Sequence, residues 1–283
     1  MMQRIWIATL LVAGAGLAGN LSAQDAPRLS LHELGVFARH VESEDPVPAA
    51  RGDVSEPPAP APEPYRFEVR LELGAGTMEH ETESSTLDSD TDAGYVRLQF
   101  EGFARNGVGG GIRVDGSASD DDMFEDTLGP DITESVSELF LYFAYRFESE
   151  RFLIPLRTGL ALHDVMIEDD GLDEEINFTS IVLRVQVEPE LELHQGRALR
   201  WTAYTALGLG FGPTEIETDP STVDDDASVV LFDFDLGTRL QWGPALFGLG
   251  YVFRQADIDE GDDFFLGVTN QFSGLMLSLG LRF

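Results

Sequence analysis

The chain contains no cysteine and no lysine. The first absence excludes a disulfide framework and any cysteine-ligated metal centre. The second means that all 18 fixed cations are arginines, set against 51 acids for a formal net charge of −33. Such acidity repels phosphate and excludes nucleic acid as a partner. Long apolar runs are also missing. The longest, Ile5 to Ala18, falls short of the ~20 residues a membrane helix requires. No Gly-x-Ser-x-Gly, His-Glu-x-x-His or phosphate-loop pattern occurs. The length of 283 residues suits one large domain or two ordinary ones.

What is present divides into three parts. Arg4, the apolar run and the small-residue site Leu21-Ser22-Ala23 predict a secretory signal over residues 1–23, with a mature start at Gln24. Residues 24–64 offer one short stretch with helical spacing, Leu31, Leu34 and Phe37, and then PVPAARGDVSEPPAPAPEP. A segment that rich in proline packs no core and is predicted to be a disordered, extended spacer.

From Tyr65 to Phe283 the hydrophobic period is two. Phe67, Val69, Leu71 and Leu73 alternate with Arg66, Glu68, Arg70 and Glu72. Successive strand side chains point to opposite faces, so one face is apolar and the other carries both signs of charge. Nine further strands repeat the design, near residues 94–104, 108–116, 134–147, 152–163, 178–188, 199–211, 229–242, 245–254 and 267–283. Apolar outside with charge inside is the arrangement of a membrane barrel. The predicted fold is all-β, a transmembrane antiparallel up-and-down barrel of ten strands, which leaves both termini on one side. Pro189 is predicted to end the spanning part of the sixth strand.

Short and long connections alternate. The short ones lie near Asn106, Glu148 to Arg151, His194 to Ala198, and Gly243-Pro244. The long ones are predicted at 77–93, 118–133, 164–177, 213–228 and 255–266, and they hold thirty of the acids and no arginine. Tyr65, Tyr145, Phe147, Phe152, Trp201, Trp242, Phe247 and Phe283 gather beside the short turns, as an interfacial aromatic girdle does.

The terminal strand GLMLSLGLRF places Leu275, Leu277, Leu279, Leu281 and Phe283 on one face. This resembles the C-terminal signature of bacterial outer-membrane β-barrels. The resemblance implies an assembly signal at these five residues, an outer-membrane location with the termini in the periplasm, and contact with lipid, lipopolysaccharide and the barrel-assembly machinery. A monomer is expected.

Three functional expectations follow. First, Arg66, Glu68, Arg70, Glu72, Arg97, Glu101, Arg113, Arg157, Arg184, Arg200, Asp233, Asp235 and Arg239 face inward and are predicted to form a salt-bridged plug, with Asp115, Glu138, Arg146, Glu188 and Arg254 also on the inward face; the alternative is a narrow polar pore for small solutes. Inward glycines are expected to leave room for the arginines. Second, no cofactor is expected, but the acidic loops suit loosely bound calcium or magnesium. The candidate ligands are Asp120, Asp121, Asp122, Asp224, Asp225, Asp226, Asp257, Asp259, Asp262 and Asp263. Third, the protein is read as a non-enzymatic surface protein. Asp233, Asp235 and the His163-Asp164 pair resemble omptin-type surface proteases only loosely, because the Asp-x-His spacing is absent. The strands are also predicted to be too short to raise a cleft above the membrane, and His163 is expected to cap one. No serine/histidine pair points to a lipid-modifying enzyme.

Overall fold

A computed structural model describes residues 67–82, 89–119, 132–169, 174–196, 199–219, 224–259 and 267–283. The expected signal, the spacer, Tyr65 of the expected girdle and Arg66 lie outside the described residues, as do Asp120 to Asp122, Asp262 and Asp263. The strands are β1 (Phe67–Thr82), β2 (Ser89–Phe103), β3 (Val108–Ser119), β4 (Ile132–Glu148), β5 (Phe152–Asp169), β6 (Glu174–Val187), β7 (Glu190–Gln195), β8 (Leu199–Asp219), β9 (Asp224–Trp242), β10 (Ala245–Ile258) and β11 (Val268–Arg282).

Every neighbouring pair is antiparallel, and the sheet closes where β11 joins β1 from Glu68↔Arg282 to Thr82↔Val268. Closure leaves no unpaired edge, which a hydrocarbon environment demands. β6 and β7 occupy one position in the wall, since both pair with β5 and with β8. The wall therefore has ten positions. Pro189 has no N–H to donate, and β6 stops at Val187 just before it, yet the wall position continues as β7 from Glu190. The Glu188 N–H donates to the Pro155 carbonyl (3.0 Å) and the Pro189 carbonyl accepts from the Thr205 N–H (3.1 Å). The ladder is held across the proline, and the strand resumes through Gln195.

The outer surface has two zones. Nearer the short turns, rows such as Leu73 beside Val96 and Leu277, Leu139 beside Leu162, and Phe211 beside Val230 face outward. On β8 this band runs from Leu199 to Phe211, which at ~3.3 Å per residue and a tilt near 45° is about 28 Å tall. The barrel is thus a transmembrane one. Its lower rim carries exposed Tyr145, Phe147, Phe152, Trp201, Trp242, Phe247 and Phe283, the expected girdle. Beyond the band the strands continue with Asp90, Asp92, Glu168, Glu215 and Glu217 exposed. The long connections were expected to begin at Thr77 and Pro213; β1 instead reaches Thr82 and β8 reaches Asp219. The strands are long enough to stand above the membrane, contrary to the sequence expectation.

The interior inverts at the same level. Within the apolar band it is charged. Beyond the band it is apolar, with Met78, Ile132, Phe178, Ile216, Val229, Ile258 and Val268 all buried. The outer part is built like a water-soluble barrel, polar outside and apolar inside. The membrane part is built the other way round.

Candidate functional site in the barrel interior

Alternation alone delivers the charged side chains to the lumen. On β1, Glu68, Arg70 and Glu72 share a face. On β2, Arg97 and Glu101 do, with Gln99 between them; Arg113 and Asp115 do so on β3. Arg70, Arg97, Arg113, Arg157, Arg184 and Arg239 are among the largest fully buried side chains of the protein. Buried charge is tolerated only with partners, and each has them.

Toward the short-turn end, Glu188 gathers three arginines. Arg157 Nη1 donates to it at 3.1 Å and Arg70 Nη1 at 3.3 Å, and Arg239 also bonds to it. Arg157 Nε lies 2.5 Å from Glu101, and Arg70 Nε lies 2.8 Å from Glu72. Arg282 joins Glu68 and bonds to Glu190 through Nη1 at 3.0 Å; Arg239 Nη1 reaches the same Glu190 at 2.7 Å. Farther out, Arg97 Nη1 links Glu72 (2.9 Å) to Asp235 (2.8 Å). Arg113 bridges Asp115 (2.8 Å) and Glu138 (2.5 Å), Arg184 bridges Glu138 and Asp233, and Arg254 bridges Asp235 (2.9 Å) and Asp233 (3.3 Å). The result is one connected network crossing the lumen, with arginines and carboxylates nearly balanced.

Aromatic rings complete it. The Arg239 guanidinium lies 3.6 Å from the centre of the Tyr204 ring, and Arg113 and Arg184 both approach Phe140. The atoms nearest a Cβ at the inward glycines belong to backbone carbonyls, aromatic side chains, Val182, Ser278 and one aspartate rather than to arginines. A Cβ at Gly111 or Gly250 would meet the Tyr142 or Tyr204 hydroxyl at 2.6 Å, and one at Gly208 would meet Asp233 at 2.4 Å.

The sequence therefore brings together every described plug residue except Arg200, which sits toward the rim and pairs with Glu192 at 2.7 Å. It missed Glu190 and Arg282. Both were legible, since Glu190 keeps the parity of Glu188 and Arg282 that of Ser278. It also missed a buried His80–Glu134 pair (3.3 Å) among the apolar residues of the outer part. His163 is not a strand cap. Its side chain is buried within the barrel, and neither ring nitrogen has a hydrogen-bond partner among the described residues.

The candidate metal ligands are distributed differently. Asp224, Asp225 and Asp226 lie on β9, paired with Glu217, Ile216 and Glu215, not in a loop. Asp257 accepts from Gln255 Nε2 (2.9 Å) and Thr269 Oγ1 (3.0 Å), and Asp259 accepts from Ser228 Oγ (2.6 Å). Among the described residues no cluster of three or more His, Asp or Glu is placed to hold a metal ion. Leu275, Leu277, Leu279, Leu281 and Phe283 all point outward into the band at the closing seam, where the Phe283 N–H donates to the Phe67 carbonyl at 2.9 Å.

No protein-family model matches the chain, and no curated protein sequence does. Among solved structures, it is similar to the outer membrane protease OmpT from Escherichia coli, with 10% identity, a TM-score of 0.46, and coverage of 78% of this chain and 97% of that one. It is also similar to Ail, the attachment invasion locus protein of Yersinia pestis, at 15% identity, TM-score 0.31, and 77% and 99% coverage. The toluene transporter TodX of Pseudomonas putida matches at 8% identity, TM-score 0.31, and 78% and 90% coverage.

Proposed function

We propose that the protein is an integral outer-membrane barrel that does not conduct, and that it serves as a non-enzymatic surface protein presenting an acidic extension beyond the lipid. The observation that carries this is the lumen network. Arg70 on β1 reaches Glu188 just past the end of β6, Arg97 on β2 reaches Asp235 on β9, and Arg157 on β5 reaches Glu101 on β2. These strands are not neighbours in the wall, so charged side chains span the channel axis where a solute would pass. Asp233 and Asp235 are each held by two arginines, which favours a structural role over a general base. The acidic extension suits surface contacts bridged by divalent cations, and lipopolysaccharide is the partner of matching chemistry.

Single-channel recording on the refolded full chain in a planar bilayer tests this. The expected record is a flat baseline with no stable open level. A steady open-channel conductance in the unmodified protein would refute the plug; a small one would return the reading to a narrow pore.

A further inference from the structure

Where the ion-pair network meets the apolar outer core lies a partly open cavity of about 50 Å³. Part of its wall is ionised, from Asp115, Glu138, Asp233 and Arg254; much of the rest is apolar, including Met78, Leu231 and Phe272. His163 on β5 and Asn270 on β11 line it from opposite sides of the ten-position wall. Both are more than nine-tenths buried. Neither ring nitrogen of His163, and neither amide atom of Asn270, has a hydrogen-bond partner among the described residues.

Buried polar groups are ordinarily satisfied, so four orphaned atoms lining one cavity point to a guest. The primary amide of asparagine both donates and accepts, and so does an imidazole in its neutral form. Such a pair matches a guest group that also does both, a hydroxyl or a primary amide. A charged guest fits poorly. Glu138 is shared by Arg113 and Arg184, and Asp233 by Arg184 and Arg254, so no wall charge is free to compensate one. The apolar part of the wall suits a short hydrocarbon body.

We propose that this cavity binds a small uncharged molecule bearing one hydroxyl or primary amide on a short apolar body. The assignment rests on the closed barrel and not on whether it conducts.

The test is methyl-methionine NMR on the full chain folded in detergent. Met78 lines the cavity, whereas Met166 lies on the outward face of β5 and reports general partitioning. The probes are acetamide and ethanol, small enough for about 50 Å³, with acetate and ethylammonium as charged counterparts. The expected result is a saturable shift of Met78 in the millimolar range without one at Met166. The charged probes should bind about tenfold or more weaker, because no wall group balances their charge. Asn270→Leu, and separately Ala256→Leu, which grows a side chain into the cavity wall, should abolish the shift; gel mobility before and after heating verifies that each variant is folded. The proposal falls if Met78 shows no saturable shift, if Met166 follows it, if the charged probes bind as well, or if either folded variant keeps the response.

Discussion

Glu188 is the carboxylate on which the lumen network converges, and Glu188→Gln is the sharpest perturbation of it. The side chain keeps its shape but loses the charge that Arg70, Arg157 and Arg239 share. Removing one partner of a buried ion pair costs about 3–5 kcal/mol. Each of the three arginines retains another carboxylate: Glu72 for Arg70, Glu101 for Arg157 and Glu190 for Arg239. That redundancy places the expected loss near the lower end, about 3 kcal/mol, or more than a hundredfold in the unfolding equilibrium. Urea unfolding in detergent micelles, followed by the fluorescence of Trp201 and Trp242, measures it through the shift in midpoint at constant slope. The double variant with Arg239→Gln should lose less than the sum of the singles, because the second change removes a charge the first left uncompensated. A loss below about 1 kcal/mol, the range of exposed pairs, would mean that water solvates these groups. The lumen would then be wet, and the plug reasoning would fail.

Four further outcomes are expected. Gly250→Ala should destabilise the barrel by about 1–3 kcal/mol through overpacking against the Tyr204 hydroxyl, and adding Tyr204→Phe should recover part of that in the same urea assay. Ile216→Ala, in the buried outer core, should lose about 2–5 kcal/mol; a neutral result would contradict an apolar interior there. Phe283→Ala removes the exposed ring at the closing seam and should slow assembly in cells, read as a larger heat-unmodified fraction on gels. Calcium at millimolar concentration should raise the unfolding temperature by binding the folded state, and Asp257→Asn with Asp259→Asn should reduce the gain; equal stabilisation by sodium at matched ionic strength would identify screening instead.

The membrane part of the fold was legible because lipid imposes one rule on every strand, apolar residues at every second position. That rule located ten wall positions and the inward arginines. It failed where the environment changes. Past Leu73, the residues Met78, Glu79, His80 and Glu81 still alternate, but with the apolar residue now inside. A search for apolar-out pattern takes that inversion for a loop. Pro189 misled for a related reason: a missing donor ends a ladder only when neighbouring groups cannot pair around it. The partners within the network were beyond reach. Arg70 and Glu188 are 118 positions apart and meet across the barrel, so their pairing depends on strand stagger and not on spacing along the chain.

The inversion of polarity between the two zones has a consequence for where the molecule sits. A barrel apolar over its whole outer face would slide along the bilayer normal at little cost. Here, sinking by one residue pair, about 5 Å along the normal for a tilted strand, would draw Asp92 and Glu215 toward hydrocarbon. Rising by the same step would lift the ring of Trp201, Trp242 and Phe247 out of the interface where such side chains are anchored. The two boundaries oppose each other, so the protein carries its own depth gauge. The height at which its acidic rim stands above the lipid is therefore written into the strands and should stay fixed in bilayers of different thickness, with the surrounding lipid, not the barrel, adjusting to the mismatch.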